Sequence, residues 1–569
     1  MTKKFRLLGF LFAMAMVVGC GGGNSSKASS SSSSSNPVSP SQSTNPIINS
    51  SSSSTNPYDD YETPTYNSYS YESLAANEER DFLSLAGETW KFYRGVMANG
   101  EKSTLDDNRW ESVTIPHTWN KTDGQDGGGN YYRGEAWYHH RVILGKDFIQ
   151  DKYQYIEFLG VNMQAKVYVN DKLVGSHKGG YTGFRFNITE NLHVGENFIA
   201  VWVSNVKTQD IAPLGGDFNN YGGIYREVNL FSVPAVHVDM MDYGSSGLKL
   251  TTTDVSAESA KLKIESNIVN DSAKAENIKV KATFKVPSEF EEIPQIPEPE
   301  FDIASLTTGE VIEVIEEEVS VTANGTYEFE KDLLVENPKL WNGKKSPFRY
   351  QVILDIIQNN EVIDQVSSYV GFRTFEVTKE GGSFLNGVSY PLRGVSRHQE
   401  WKNMGNAISK QHHEVDFGMM YEMGVNSIRL AHYPQSNYMY ELCDRYGIAV
   451  WAEIPFVNEI GTDKNFVKVT QNMLIELIRQ QYNRASIVVW GLQNEVAASY
   501  NASMIKVMHV LNKTAHEEDP TRLTTQATNS VTAKYWESDL LAWNTYPGWY
   551  SGTTISANMD DYFANYRMP

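Results

Sequence analysis

Cysteine is nearly absent. The 569-residue chain has two, Cys20 and Cys443, so no disulfide framework is open to its folded part, and Cys443 is expected to be a buried, inert thiol. Positive charge is scarce as well: 49 Lys and Arg stand against 69 Asp and Glu, a formal net charge of −20. That balance argues against a nucleic-acid partner, which needs clustered cations, and favours solubility. Beyond the N-terminus no apolar run is long enough to span a bilayer.

The one long apolar run covers residues 7–18, follows Lys3, Lys4 and Arg6, and ends in "VVGC". This order is that of a bacterial signal peptide, and residues 17–20 resemble a lipobox cut before a lipid-modified Cys20. The expectation is a lipoprotein anchored through Cys20 in the cell envelope, by analogy at the outer membrane because Gly21 follows the cysteine; an ordinary signal peptide with a chance cysteine is the alternative. Residues 21–76 begin as almost pure Ser, Asn, Pro and Thr and continue Tyr-rich to Tyr71. They offer too little apolar surface to fold and are expected to form a disordered tether.

Three ordered regions follow. Residues 77–233 run as short alternating segments such as "YIEFLG", "AKVYVND" and "FIAVWVSN", the pattern of an antiparallel β-sandwich. Residues 234–377 carry "LKLTTT", "AKLKIES" and "YQVILDII" in the size of an immunoglobulin-like sandwich, with an acidic, Pro-bearing insert around "EEIPQIPEPEFD". After Thr378, strands alternate with helical stretches at 408–423, 436–446, 468–481 and 501–518, which signals a parallel sheet with helical crossovers. Six strands can be counted where a closed (β/α)8 barrel needs eight, so residues 378–569 are expected to form a TIM barrel that stops after about six strands.

Polar residues gather at the ends of those strands, where barrel enzymes keep their catalysts: Arg397 and His398 after the first, Arg429 and His432 after the second, Glu453, then Asn494 and Glu495, and Asn544 and Tyr546 after the sixth. In "SIVVWGLQNEV" strict alternation would put Ile487, Val489, Gly491, Gln493 and Glu495 on one face and Val488, Trp490 and Leu492 on the other. In "SIRLAHYP" alternation turns Arg429 inward, where an unpaired cation is costly, so a carboxylate such as Glu453 or Glu495 must lie beside it. A buried ion pair that only holds the barrel together is the competing reading of Arg429. The aromatic content of 12%, with 12 Trp and 32 Tyr, suits stacking on sugar rings, although an aromatic-rich β-domain core accounts for it equally.

Across all three regions the chain resembles glycoside hydrolase family 2, the β-galactosidase and β-glucuronidase family. The matching stretches are "WESVTIPHTWN", "AKVYVNDKLVGSHKGGYTGF" and "DFNNYGGIYREV" in the first domain, "NPKLWNG" and "GFRTFEV" in the second, and "LRGVSRHQEW", "GVNSIRLAHYPQSNYMYELCDRYGIAVWAEIP" and "SIVVWGLQNE" in the barrel. The resemblance implies a jelly-roll-like sugar-binding sandwich, an immunoglobulin-like sandwich and a TIM barrel. It implies retaining hydrolysis, in which two carboxyl groups roughly 5 Å apart act as nucleophile and acid/base.

By the same resemblance Glu495 is the acid/base, and Asn494 binds the sugar 2-hydroxyl. Arg429, His432, His398 and Tyr546 bind or position the sugar, and Asp217 reaches over the barrel from the first domain. The implied partner is a carbohydrate, with no nucleic acid and no cofactor; no magnesium site is expected, because Phe456 and Val457 follow "WAEIP". The chain is compatible with a monomer or an oligomer. "PHTWN" and "WAEIP" look more like β-galactosidases, which points to a terminal β-galactoside; a β-glucuronidase, a β-mannosidase and a non-catalytic surface sugar-binding protein are the alternatives. The family nucleophile follows a seventh strand and is expected beyond Pro569, since Asp560 and Asp561 read as solvated surface, so the chain by itself is expected to be inactive.

Overall fold

The computed structural model describes residue 63 and residues 69–77, 79–124, 126–496, 502–529 and 536–546. Cys20, nearly all of the Ser-rich stretch, and Asp560 and Asp561 lie outside the described residues. No described helix is long and apolar enough to cross a membrane.

The first domain is a sandwich of two antiparallel sheets. One runs in the order Asp81–Ser84, Val228–Val233, Tyr153–Phe158, Phe184–Asn187; the other in the order Glu111–Thr114, Thr89–Arg94, Glu135–Leu144, Gly195–Ser204, Gln164–Val169, Lys172–Lys178. The alternation seen in the sequence is what closes it: in Gln164–Val169, Ala165, Val167 and Val169 are buried between the sheets while Lys166 is exposed. Much of the aromatic content serves this core, where Trp90, Phe92, Trp119 and Tyr138 pack together. Trp110 and Trp137 form a second, smaller cluster.

The second domain is a sandwich of two four-stranded antiparallel sheets. Its longest inner strand, Ser259–Asn270, buries Ala260, Leu262, Ile264 and Ile268 at every second or fourth position, as a strand with one core-facing side must. The acidic insert of this domain docks on the barrel: Ile293, Ile296 and Phe301 are buried in a core shared with Phe417, Tyr421 and Tyr446. Gln295 O would lie 2.1 Å from a β-carbon at Gly418, so that position admits only glycine. "NPKLWNG" is a second docking point, with Trp341 fully buried and its indole N–H donating to Asp444 O at 3.0 Å.

The third domain has six parallel strands, β1 (Gly394–Arg397), β2 (Ser427–Leu430), β3 (Ala449–Glu453), β4 (Ile487–Asn494), β5 (Leu523–Thr528) and β6 (Leu540–Trp543), each paired with the next in chain order. Helices α1 (Lys410–Glu422), α2 (Asn437–Tyr446), α3 (Phe466–Gln481) and α4 (Ala502–Glu518) make four of the five crossovers among the described residues. Ile428, Leu430, Val450, Ala452, Trp490 and Leu492 share a core with the helical residues Met439, Leu442, Cys443, Leu474, Leu477 and Leu511. Cys443 is a buried free thiol whose pKa burial pushes well up. The sandwich, immunoglobulin-like and TIM-barrel architecture is thus that expected from the sequence.

Two expectations need correction. Residues 69–76, assigned to the tether, are packed onto the folded domains, with Glu72 and Ala75 buried and Tyr71 edge-on to Tyr438 at 5.6 Å. Composition excludes only a core of their own; a surface formed by other domains can still bury them. The strict alternation of β4 also fails, because its pairing register slips once against β3 and once against β5, between Gly491 and Gln493. Ile487 therefore joins Trp490 and Leu492 in the core shared with the helices, while Val489 packs with Trp451 and Leu523.

Candidate active site

The strand tips converge at the C-terminal end of the parallel sheet. Arg429 of β2 turns inward, half-buried, and its Nε donates to Glu453 Oε2 at 3.0 Å. His432 Nδ1 meets the other oxygen, Glu453 Oε1, at 2.5 Å. Glu453 is 1% exposed; burial pushes its carboxyl up, but the Arg429 charge and the hydrogen bonds from His432 and Arg429 outweigh it and hold the group below its ordinary range. Glu453 is thus an anion with both oxygens engaged. The Arg429 guanidinium also lies 4.1 Å over the ring of Trp451. Gly491 on the neighbouring strand leaves room for this layer: a β-carbon there would lie 2.4 Å from both Trp451 Nε1 and Glu453 Cβ.

From Glu453 the network runs to the end of β4. Arg429 Nη2 donates to Asn494 Oδ1 at 2.9 Å, and Arg429 Nη1 to Asn544 Oδ1 at 3.3 Å. With its oxygen turned to Arg429, the Asn544 amide presents its NH2 group to Asn494 Oδ1 at 2.8 Å and to Glu495 Oε1 at 2.6 Å. The Tyr546 hydroxyl donates to the same Glu495 oxygen, and Asn529 Nδ2 to Glu495 Oε2 at 2.9 Å. Three neutral donors from the ends of β5 and β6 thus hold the carboxylate in a defined orientation.

Both Asn494 and Glu495 reach this mouth although they are adjacent in sequence, which a regular strand would forbid. Glu495 lies just past β4 with φ +57°, the left-handed region that a non-glycine residue enters only when its surroundings impose it. Here the Glu495 N–H donates to Ala527 O at 2.9 Å, and the Asn494 backbone is bonded on both sides, to Phe456 O and from the Asn458 N–H. Gln493, which strict alternation puts on the same face as Glu495, is buried beneath the mouth. Its Nε2 donates to Ala527 O and its Oε1 accepts the Val496 N–H, each at 2.9 Å, so the side chain pins the turn on either side of Glu495.

His398 sits across the mouth, with Nδ1 3.3 Å from the Tyr433 hydroxyl. Burial, and then the neighbouring His432, lower its pKa to about 4, while Asp217 and Glu453 act in the opposite sense. At neutral pH it is therefore an uncharged ring. Asp217 itself is exposed, on the sandwich-domain loop that crosses to the barrel; the next residue, Phe218, packs against His398, His432 and Tyr433 with ring centroids 5.3, 5.9 and 5.5 Å apart. Arg397, counted among the strand-end residues, turns away: Nε and Nη2 bond Asp416 of α1 at 3.0 and 2.6 Å, and Nη1 bonds Gln435.

Asn494, Glu495, Arg429, His432, His398 and Tyr546 are thus brought to one mouth, with Asp217 above it. Residues not singled out as site candidates are Asn529, Phe218 and Tyr433, together with Asn544, read only as a strand-end residue. Asn529 follows the fifth strand directly, so the strand-end rule that found the others would have reached it, and Phe218 adjoins Asp217.

Comparison with known proteins bears on the same three regions. Family models match in order: "Glycosyl hydrolases family 2, sugar binding domain" over residues 96–234, "Glycosyl hydrolases family 2" over 246–373, and "Glycosyl hydrolases family 2, TIM barrel domain" over 375–568. A β-glucuronidase of Bacteroides fragilis is 37% identical over 498 residues, 86% of this chain and 67% of that protein. A putative β-glucuronidase of Formosa agariphila is 33% identical, covering 79% of this chain and 51% of its own length. A β-galactosidase of Thermoanaerobacter pseudethanolicus is 30% identical, covering 78% and 55%. Among solved structures, the Bacteroides uniformis β-glucuronidase superposes with a TM-score of 0.77 at 32% identity over 85% of this chain and 58% of that one. The chain therefore spans between about half and two thirds of the length of these relatives. With three family models matched in order and a relative 37% identical over most of its length, the chain belongs to glycoside hydrolase family 2.

Proposed function

We propose that the protein is a retaining exo-β-glycosidase in which Glu495 is the acid/base. The observation that carries this reading is the Glu495 carboxylate at a barrel mouth, oriented by Asn544, Tyr546 and Asn529 and flanked by Asn494. In the first half-reaction Glu495 gives its proton to the glycosidic oxygen as the bond from that oxygen to the anomeric carbon breaks and a nucleophile carboxylate attacks the carbon. In the second, Glu495 takes a proton from the water that displaces the nucleophile. Asn494 Oδ1 is held by Arg429 and Asn544, which leaves its NH2 group to donate to a sugar hydroxyl. Glu453 is a poor candidate for the nucleophile, being 1% exposed with both oxygens occupied. We place the nucleophile C-terminal to β6, as the family resemblance implies.

For the sugar, the names of the relatives at 37% and 33% identity favour a β-glucuronide over the β-galactoside suggested by "PHTWN" and "WAEIP". The β-galactosidase at 30% identity keeps the galactoside as the second reading. The test is the ratio of kcat/KM for 4-nitrophenyl β-D-glucuronide and β-D-galactoside with the full-length protein. A ratio well above one supports the uronide, and a ratio below one the galactoside. We further propose that Cys20 is acylated and holds the protein on the cell envelope; Cys20→Ser should then release it from the membrane fraction, and unchanged retention would count against the anchor.

A further inference from the structure

We propose that residues 70–77 are a strap that holds the sugar-binding histidines in place, with Glu72 as its positioning residue. The strap touches all three domains. Ser70 Oγ donates to Glu227 of the sandwich, Asn77 Nδ2 donates to Gln365 O of the immunoglobulin-like domain at 2.7 Å, and Tyr71 packs edge-on against Tyr438 of the barrel helix α2. Glu72, 3% exposed, lies where these surfaces meet.

Two routes lead from Glu72 to the mouth, and they join at Gln399. In the first, Glu72 Oε1 accepts from Ser436 Oγ at 2.7 Å and the Glu72 carbonyl accepts from Asn437 Nδ2 at 2.7 Å, which fixes the start of α2; the Ser436 N–H then donates to Gln399 Oε1 at 2.8 Å. In the second, Glu72 Oε2 lies 3.8 Å from Arg226 Nε and is the one carboxylate within 4 Å of that buried guanidinium among the described residues. Arg226 Nη2 in turn donates to Gln399 Oε1 at 3.1 Å and to Pro434 O at 3.0 Å. Gln399 adjoins His398, and Pro434 lies two residues past His432. The Gln399 N–H donates to the Tyr433 hydroxyl at 3.1 Å, and that hydroxyl meets His398 Nδ1. Burial pushes the Glu72 carboxyl up, while the Arg226 charge and the Ser436 hydroxyl act the other way. Removing the side chain takes away the acceptor of Ser436 Oγ and the carboxylate beside Arg226, so the disturbance reaches Gln399 through both of its donors and falls on the two loops that carry the histidines.

This rests on the reading of His398 and His432 as sugar-binding residues, and the experiment separates the two ideas. In the full-length protein, Glu72→Ala is compared with wild type by amide hydrogen exchange at Gln399 and Ser436 and by steady-state kinetics on 4-nitrophenyl β-D-glucuronide and β-D-galactoside. The expected result is faster exchange at both amides and a KM raised about tenfold with kcat changed less than about twofold. Unchanged exchange, or an unchanged KM in a variant that still turns over, overturns the proposal. If Glu72→Ala does not fold, Glu72→Gln, which keeps an acceptor for Ser436 but replaces the carboxyl group facing Arg226 with an amide, takes its place with the same two outcomes. A wild type that hydrolyses neither substrate counts against both sugar readings and not against the strap, which the exchange comparison then decides by itself.

Discussion

Asn544 Nδ2 stands 2.6 Å from Glu495 Oε1, and the same nitrogen bonds Asn494, so one amide from β6 sets the spacing of the two adjacent residues at the end of β4. Its orientation comes from Arg429, which donates to its oxygen.

Asn544→Ala should therefore lower kcat/KM of the full-length enzyme by about 10- to 100-fold, the value of one or two hydrogen bonds to charged groups, with little effect on folding. Asn544→Asp should be at least as damaging, because it faces a second carboxylate toward Glu495. Steady-state kinetics with circular dichroism as a folding check would decide; wild-type turnover in either variant would remove Asn544 from the site.

Gln493 offers a different test, since it touches no substrate. Gln493→Leu strands the Val496 N–H and releases the turn that holds Glu495 at positive φ, for a stability loss of about 1–3 kcal/mol. Turnover should fall as well, because Glu495 is then free to relax toward a regular conformation. Denaturation and kinetics on the same variant check both halves; a stability loss with unchanged kcat would mean that the turn survives without Gln493.

The barrel was legible in the sequence down to strand order, because parallel strands read as apolar runs and the helices between them carry their own period. Arg429 was legible too, since an inward cation demands a carboxylate and Glu453 supplies it. What could not be read is everything decided by partners distant in sequence. Arg397 and Arg429 look alike at strand ends, and it is Asp416 on α1, together with Gln435, that draws the first away. Asn494 and Glu495 were both legible at the end of β4, but the buried Gln493 and the positive φ that let two adjacent residues reach the mouth together are announced by no local pattern. The strap carries no local signal, because its burial is provided by Arg226, Ser436 and Tyr438, none of which adjoins it in sequence.

A pH dependence follows from the strap's acidic neighbours. Burial first, then the charges of Glu72 and Glu157, push Glu227 up to about 8, while hydrogen bonds from Ser70 and the Tyr71 N–H act the other way. A carboxyl whose folded pKa lies above its ordinary 4.5 favours folding most below that value, and the contribution is lost as pH rises toward and through about 8. Stability should thus decline over roughly pH 5 to 8 with a slope from this group of up to about 1.4 kcal/mol per pH unit. Glu227→Gln should flatten the decline in a series of denaturation curves; the same slope in both proteins would show that Glu227 does not titrate in that window.

The central claim, that Glu495 is the proton donor, is tested most directly by the leaving-group dependence of Glu495→Gln in the full-length enzyme. On the preferred sugar, hydrolysis of a 2,4-dinitrophenyl glycoside and of an alkyl glycoside should be compared with wild type. A dinitrophenolate departs with little protonation, whereas an alkoxide needs a proton, so the account predicts a loss of about 10²- to 10⁴-fold on the alkyl substrate and a far smaller one on the activated substrate. Equal losses on both would contradict it.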